Sequence, residues 1–263
     1  MVDDEESGVS SLSDEFRSSS TRALARPLLS DSHAAAIPDD VIEIFSAPRV
    51  VPAAASAGLR AQLSIDILTG QNLLNPHWQR WTIQQVESRR PRVVISSPPC
   101  TLFSTLMNWN RPKMDPVVFN YRWQEACAML EFGMLIAAIQ KRAGRGFVHE
   151  HPSPATSWRH DSVLALPRPP FTTLDFHQCR FNLRSPQGFP LKKSTRLLSC
   201  NLPTLTRHFQ RKCNCTARFW WDGKAVLHRP IMGSENGVKL SHHAQHYPPA
   251  MVDAFVQVIK DQS

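Results

Sequence analysis

A cysteine that follows two prolines is the residue best placed in this sequence to act as a nucleophile. Cys100 closes residues 97–100, which read SPPC and follow the apolar run 93–95, VVI. The apolar run predicts a buried strand, and the prolines fix the backbone at its carboxyl end. Because ligands of open α/β sheets bind at that edge, we expect Cys100 to line an active site, where a thiolate can attack an electrophilic carbon.

A carboxylate in a matching position, Glu150, ends a second predicted strand. Residues 146–152 read GFVHEHP, a largely apolar run that closes with an acidic residue and a proline. A carboxylate there can hold a hydrogen-bonding edge of a substrate or move a proton. Alternation along the strand places His149 and His151 on the side opposite Glu150, where we expect structural or supporting roles for them.

Two earlier segments have the pattern of a nucleotide-binding half-domain. Residues 41–46 predict a hydrophobic strand, and an alanine-rich helix is predicted after it, ending at Gly58. Residues 59–65 predict the next strand, with Asp66 at its end. In nucleotide-binding folds, the first tight turn lets the backbone approach the ligand, and a carboxylate at the next strand end holds ribose hydroxyls.

The ordered set of strand ends resembles the C5-cytosine-specific DNA methyltransferases, which are class I S-adenosylmethionine-dependent enzymes. The resemblance covers about residues 41–259 and implies an α/β, Rossmann-like fold, with a mainly parallel, twisted sheet and helices on both faces. It implies methyl transfer to C5 of cytosine in DNA through a covalent bond between a cysteine and C6, on a base flipped out of the duplex. The residues that carry the resemblance are Phe45, Asp66, Cys100 and Glu150.

The resemblance also implies a cofactor, S-adenosylmethionine. The residues implied to bind it lie in the first turn, at later strand ends and in the cysteine loop: Phe45, Ser46, Ala47, Asp66, Asn72 and Pro98. The first turn of the family is usually rich in glycine, whereas residues 45–49 here read FSAPR. Ala47 places a Cβ where the backbone would approach the cofactor, and the access of glycine to positive φ is lost.

Basic residues supply the remaining implied contacts. Arg180 is implied as a third catalytic residue, and Lys192, Lys193 and Arg196 would contact phosphates or the base. The net charge of +8 favours a polyanionic partner, and we expect DNA rather than RNA. No run of roughly 18 apolar residues is present, so no membrane span is expected.

Three regions follow from composition and periodicity. Residues 1–38 are rich in serine, aspartate and arginine and predict a disordered tail. The resemblance assigns residues 39–200 to a methyltransferase-like core, and residues 201–263 to an extension and closing helix of the same domain. Six scattered cysteines and the absence of an apolar signal core favour a reducing, nuclear or cytoplasmic location. Further helices are predicted over 78–88, 119–142 and 250–259, and further strands over 171–176 and 195–199.

The other cysteines receive a structural interpretation. Cys127 and Cys179 are expected to be small buried hydrophobes. Cys213 and Cys215 lie near several histidines, including His228, which raises the alternative of a zinc site. Zinc sites usually carry a Cys-x2–4-Cys pair, whereas the spacing here is Cys-x-Cys, so we expect no metal.

Other functions compete with cytosine methylation. The SPPC string also resembles the proline-rich loop of amino-methyltransferases, although cysteine replaces the aromatic residue used there for stacking. A Cys100–His149 hydrolase is a further alternative. Residues 199–247 are too few for a large target-recognition domain, and the short length resembles divergent forms carried by mobile elements. The main alternative is therefore a catalytically inactive, mobile-element-derived nucleic-acid-binding protein of the same fold.

Overall fold

A computed structural model describes residues 37–105 and 107–262. The predicted tail over residues 1–38 therefore lies outside the described residues, apart from its last two positions. From Ile37 onward the chain forms one compact unit, which includes both the predicted core and the predicted extension. Within the described ranges, no helix has both the length and the apolar character needed to cross a bilayer.

A six-stranded mixed sheet forms the centre of the molecule, with the strand order β2-β1-β3-β4-β6-β5. β1 pairs in parallel with β2 and β3, and β3 pairs in parallel with β4, whereas β6 runs antiparallel to both β4 and β5. The predicted α/β class with a mostly parallel sheet is confirmed. The strands are β1 (Val41–Ile44), β2 (Leu63–Ile65), β3 (Val93–Ser96), β4 (Gly146–Pro152), β5 (Thr172–His177) and β6 (Ser194–Cys200).

Helices cover both faces of the sheet. Alternate side chains of each strand point to opposite faces and pack in two separate apolar clusters. On one face Ile42, Ile44 and Val94 pack with α2 and α4, and on the other Val41 and Val93 pack with α1 and α8. The helices are α1 (Val50–Ser56), α2 (Pro76–Arg89), α3 (Met107–Asn110), α4 (Pro116–Arg142), α5 (Asp161–Leu164), α6 (Leu205–Phe209), α7 (Leu240–His243) and α8 (Pro249–Lys260). Burial on both faces explains the continuous apolar runs of β1 and β3.

Most predicted elements are present with small shifts at their ends. The helices predicted over 78–88, 119–142 and 250–259 correspond to α2, α4 and α8. The strand predicted over 59–65 is shorter, because only Leu63–Ile65 lies opposite β1 in register. Upstream of it, the amide of Arg60 donates to the carboxylate of Asp40 at 2.7 Å instead of joining the sheet.

The chain connections open a crevice between β1 and β3. From β1 the chain passes through α1 to β2 on one side, and after α2 it returns to β3 on the other side of β1. The loops that follow β1 and β3 therefore leave the sheet in opposite directions. Such a switch point, outside the carboxyl ends of the strands, is where open α/β sheets bind ligands.

Candidate active site

A cavity of about 200 Å³ lies at this switch point and opens to solvent. Its position at the carboxyl ends of the strands, where open α/β sheets bind ligands, makes it the candidate site. The residues predicted for the site that line it come from four strand ends and are Phe45, Ser46, Ala47, Asp66, Pro98, Cys100 and Glu150. The structure therefore brings the predicted nucleophile, carboxylate and cofactor turn into one space.

A buried glutamate, Glu43, shapes the first turn. Its Oε2 accepts the amides of Arg49 at 3.0 Å and Val51 at 2.8 Å, which fixes the turn and caps the amino end of α1. Burial raises the pKa of Glu43, and these hydrogen bonds oppose the rise. Phe45 takes a left-handed conformation with φ of 59°, so the tight turn forms without glycine. The only sequence signal for Glu43 is an acidic residue inside an apolar strand.

The turn and the second strand end carry polar groups that face the cavity. Among the described residues, the amides of Ser46 and Ala47 donate to no protein acceptor. Asp66 caps the 3-10 helix Ile67–Thr69, and its side chain accepts the amide of Leu68 through Oδ1 at 2.9 Å and the amide of Thr69. A pair of unused amides and a carboxylate on one cavity can hold hydroxyl and carboxylate groups.

A buried histidine, His151, holds the loop that carries Cys100. His151 Nε2 donates to the carbonyl of Pro98 at 2.9 Å, and its Nδ1 accepts from the Ser157 hydroxyl at 2.7 Å. Burial lowers the pKa of His151 to about 4, so the ring is neutral near pH 7 with its proton on Nε2. His151 lies on the side of β4 opposite Glu150, which agrees with the predicted supporting role.

A hydrogen-bonded chain fixes one oxygen of Glu150. The Tyr247 hydroxyl donates to Glu150 Oε2 at 3.3 Å and lies 2.5 Å from the Ser97 hydroxyl. Lys193 Nζ lies 3.7 Å from Glu150 Oε1, which is buried and makes no hydrogen bond within the described chain. The carboxylate thus has one oxygen anchored by the protein and one available to a ligand donor.

The surroundings of Cys100 in the protein do not favour its thiolate form. Burial raises its pKa, Glu150 adds to the rise, and Lys193 opposes it. Cys100 is therefore a neutral thiol near pH 7, and a nucleophilic attack requires that its proton leave once a substrate is bound.

The segment before α8 contributes a side chain to the site that no sequence pattern predicts. Tyr247 is buried, and Arg49 lies over its ring with Cζ 5.6 Å from the centroid. Arg49 also donates to the carbonyl of Gln245 at 3.0 Å, so the first turn and the closing segment are joined. A tyrosine before two prolines is the only sequence signal, and it does not indicate a contact with Glu150.

Two predicted site residues lie elsewhere. Arg180 is exposed on the 3-10 helix Gln178–Phe181 and donates to Asn214, so Lys193 is the cation beside the carboxylate. Asn72 is exposed and accepts the amide of Leu74 at 3.0 Å. Residues 70–75 connect the 3-10 helix Ile67–Thr69 to α2 without a strand, and Asn72 does not line the cavity.

The hydrolase alternative lacks its base at this site. His149 is fully buried on the other face of β4, with its ring 5.5 Å from that of Trp158. It does not line the cavity of Cys100. A Cys–His pair therefore does not form here.

The buried histidines predict a loss of stability in mild acid. The pKa of His151 is about 4 in the fold against roughly 6.5 in an unfolded chain, and burial also lowers the pKa of His149. Between these values the unfolded chain binds more protons, so stability falls as the pH drops from 6.5 to 4, by about 3 kcal/mol for His151. Urea unfolding across this window measures it. His151→Gln is expected to reduce the slope, because the contribution of His149 remains, whereas substitution of exposed His77 is the control; equal slopes in all three proteins contradict the assignment.

Comparison with protein-family models finds none that matches this chain, and comparison with curated proteins finds no similar sequence. The functional interpretation therefore depends on the cavity and its side chains. Their chemistry combines a thiol, a half-anchored carboxylate, a nearby ammonium group and a tight turn with unused amides.

Proposed function

We propose that this protein is a Rossmann-like, S-adenosylmethionine-dependent methyltransferase that modifies C5 of cytosine in DNA. The observation that carries the proposal is that Cys100 and Glu150 line the same cavity as the turn after β1 and Asp66. A nucleophile and a carboxylate beside a nucleotide-type pocket are what methylation of an unreactive ring carbon requires.

The proposed chemistry begins with a cytosine extruded into the cavity. The Cys100 thiol passes its proton to Glu150, whose Oε1 holds the N3 and amine edge and delivers that proton to N3 as the sulfur forms a bond to C6 and the C5–C6 double bond opens. C5 then becomes nucleophilic and accepts the methyl group that the cofactor would supply. Solvent water takes the C5 proton, the sulfur leaves C6 as a thiolate, and N3 gives up its proton, which restores the aromatic ring. Tyr247 and Ser97 keep the second oxygen of Glu150 in place throughout.

The described residues fit the cofactor. The amides of Ser46 and Ala47 are unused, and the Asp66 carboxylate lines the same cavity. The Ala47 Cβ narrows the turn, but Phe45 already supplies the positive φ, so glycine is not needed for the turn itself.

A basic and aromatic surface beside the cysteine loop supports DNA as the partner. Trp109 is 79% exposed and Tyr121 is 63% exposed, and exposed Arg111 and Lys113 lie between them in sequence. Aromatic faces stack on extruded or single-stranded bases and cations contact phosphates. This combination follows directly after the 3-10 helix Thr101–Phe103 of the cysteine loop.

The second candidate function is an inactive nucleic-acid-binding protein of the same fold. The glycine-free turn with Ala47 favours it, because a Cβ there reduces the room for cofactor backbone contacts. The two candidates differ in cofactor binding and in methyl transfer.

Calorimetry with S-adenosylmethionine tests the cofactor assignment. Asp66→Ala is expected to weaken binding roughly 10- to 100-fold, the value of a hydrogen bond to a charged group. Ala47→Gly is expected to bind at least as tightly as the wild type, because it removes the Cβ. Asp253→Ala, an exposed aspartate on α8, is the matched control and should bind normally. No heat of binding in any of the four proteins favours the inactive alternative.

Transfer of a labelled methyl group to duplex DNA tests the reaction itself. After digestion to nucleosides, the label is expected in 5-methylcytosine. Label in N4-methylcytosine or N6-methyladenine would instead support the amino-methyltransferase alternative, and cofactor binding without any labelled nucleoside would contradict DNA as the substrate.

A further inference from the structure

Four metal-binding side chains from three segments converge at the carboxyl end of β5. Cys179 lies on the 3-10 helix that follows β5, Cys213 and Cys215 lie in the loop after α6, and His228 follows the hairpin of β7 (Phe219–Trp221) and β8 (Lys224–Val226). Their donor atoms all lie within 4.8 Å of one another. Cys213 Sγ lies 3.3 Å from His228 Nε2, and all four residues are half-buried.

We propose that Cys179, Cys213, Cys215 and His228 bind a structural Zn²⁺ ion. Three thiolates and one imidazole are a standard closed ligand set for zinc, with tetrahedral geometry. Bond lengths of roughly 2.3 Å to sulfur and 2.0 Å to nitrogen place tetrahedral donors roughly 3.5–3.8 Å apart. The donors here need only small side-chain adjustments to reach that spacing. Soft sulfur ligands exclude magnesium and calcium, which prefer oxygen.

Hydrogen bonds around the cluster hold the ligands in position. The amide of Cys213 donates to His177 Nδ1 at 2.8 Å, and the amide of His177 donates to the carbonyl of Arg211 at 3.1 Å. The Arg180 guanidinium donates to the side chain of Asn214, between the two cysteines. These hydrogen bonds hold the loop over residues 211–215 against the end of β5. Residues around a metal site commonly orient its ligands in this way.

The chain between α6 and α7, which the ion would hold to the end of β5, buries few apolar residues. Between α6 and α7 the described chain forms only two short hairpins, the second being β9 (Ser234–Glu235) with β10 (Val238–Lys239). The nearby apolar cluster contains three buried residues, Leu183, Leu191 and Ala244. A small segment that cannot bury enough apolar surface gains folding free energy from a metal. None of the four ligands lines the cavity of Cys100, so this site is independent of the proposed methyl transfer.

Metal content of the purified full-length protein tests the site. Protein produced with zinc in the medium and purified without chelator is expected to contain one zinc ion per chain by elemental analysis. Cys127→Ser, which changes a cysteine of α4 outside the cluster, should retain that content. Cys213→Ser and His228→Ala should lose most of it in a buffer with a competing chelator. His228→Cys should retain it, because a fourth thiolate replaces the imidazole.

Cobalt substitution provides a second readout, which the wild-type protein alone can decide. Wild-type protein reconstituted with Co²⁺ should show the visible bands of tetrahedral cobalt and thiolate-to-cobalt charge transfer in the near ultraviolet. His228→Cys should shift these bands toward those of a four-thiolate site. A metal-free wild type that binds no Co²⁺, octahedral spectra, or a disulfide within the cluster found in freshly purified protein would each overturn the proposal.

Discussion

Cys100→Ser is expected to abolish the covalent complex that the wild-type protein forms with a duplex carrying 5-fluorocytosine in the presence of S-adenosylmethionine. Fluorine at C5 cannot leave as a proton does, so the complex between Cys100 and C6 accumulates after methyl transfer. A serine hydroxyl is almost fully un-ionised near neutral pH and is a much weaker nucleophile. We expect the yield of complex to fall by roughly three orders of magnitude or more, as measured on denaturing gels.

Cys127→Ser is the matched control for this experiment. Cys127 is a half-buried thiol on α4 and does not line the cavity, so its loss should leave the complex intact. A complex that survives Cys100→Ser would refute the nucleophile. The raised pKa of Cys100 adds a further expectation, because the rate of complex formation should increase as the pH rises above neutral.

The sequence predicts the site residues that lie at the ends of strands. Cys100 and Glu150 each follow a run of apolar residues, and consecutive parallel strands deliver such ends to one edge of a sheet. The register confirms that β3 and β4 lie side by side, with Ser96 opposite His149. Local pattern and sheet topology together were therefore sufficient to bring these residues into one cavity.

Contacts between distant segments could not be predicted in the same way. Tyr247 lies 97 positions from Glu150 along the chain, and only the packing of α8 against α1 brings the segment back to the first turn. The same limit applies to Cys179, which was interpreted as a buried hydrophobe. Its partners come from a loop and a hairpin whose positions depend on tertiary packing, and a Cys-x-Cys spacing alone does not indicate them.

Arg180 and Asn72 were expected in the site from the resemblance alone. Both lie in segments without a strong hydrophobic pattern, and neither lines the cavity. Asn72 follows a single 3-10 turn, Ile67–Thr69, in a stretch that continues to α2 without a strand. Arg180 sits one residue past Cys179, and its guanidinium is used by Asn214 in the loop of the thiol cluster. Both side chains serve local structure, and neither had an apolar run before it that would place it in the cavity.

Glu150→Gln is expected to slow methyl transfer and formation of the 5-fluorocytosine complex by roughly 10²- to 10⁴-fold, the usual value of a positioned acid or base. The amide keeps the shape of the side chain and its contact with Tyr247, but it cannot supply a proton to N3 as C6 is attacked. Tyr247→Phe leaves the carboxylate and removes the hydrogen bonds of the tyrosine hydroxyl to Glu150 Oε2 and to Ser97, so we expect a smaller loss of roughly 10-fold. Single-turnover rates with labelled cofactor distinguish these losses from weaker binding.

A matched carboxylate separates this role of Glu150 from a general effect of negative charge. Asp175 lies on β5, where Arg196 binds it through two hydrogen bonds of 2.6 and 2.8 Å, and it does not line the cavity. Asp175→Asn should therefore change stability without a comparable change in the single-turnover rate. If Glu150→Gln retains the wild-type rate while Cys100→Ser is inactive, then N3 is protonated by another group, and Lys193, 3.7 Å from Glu150 Oε1, becomes the side chain to test by Lys193→Met.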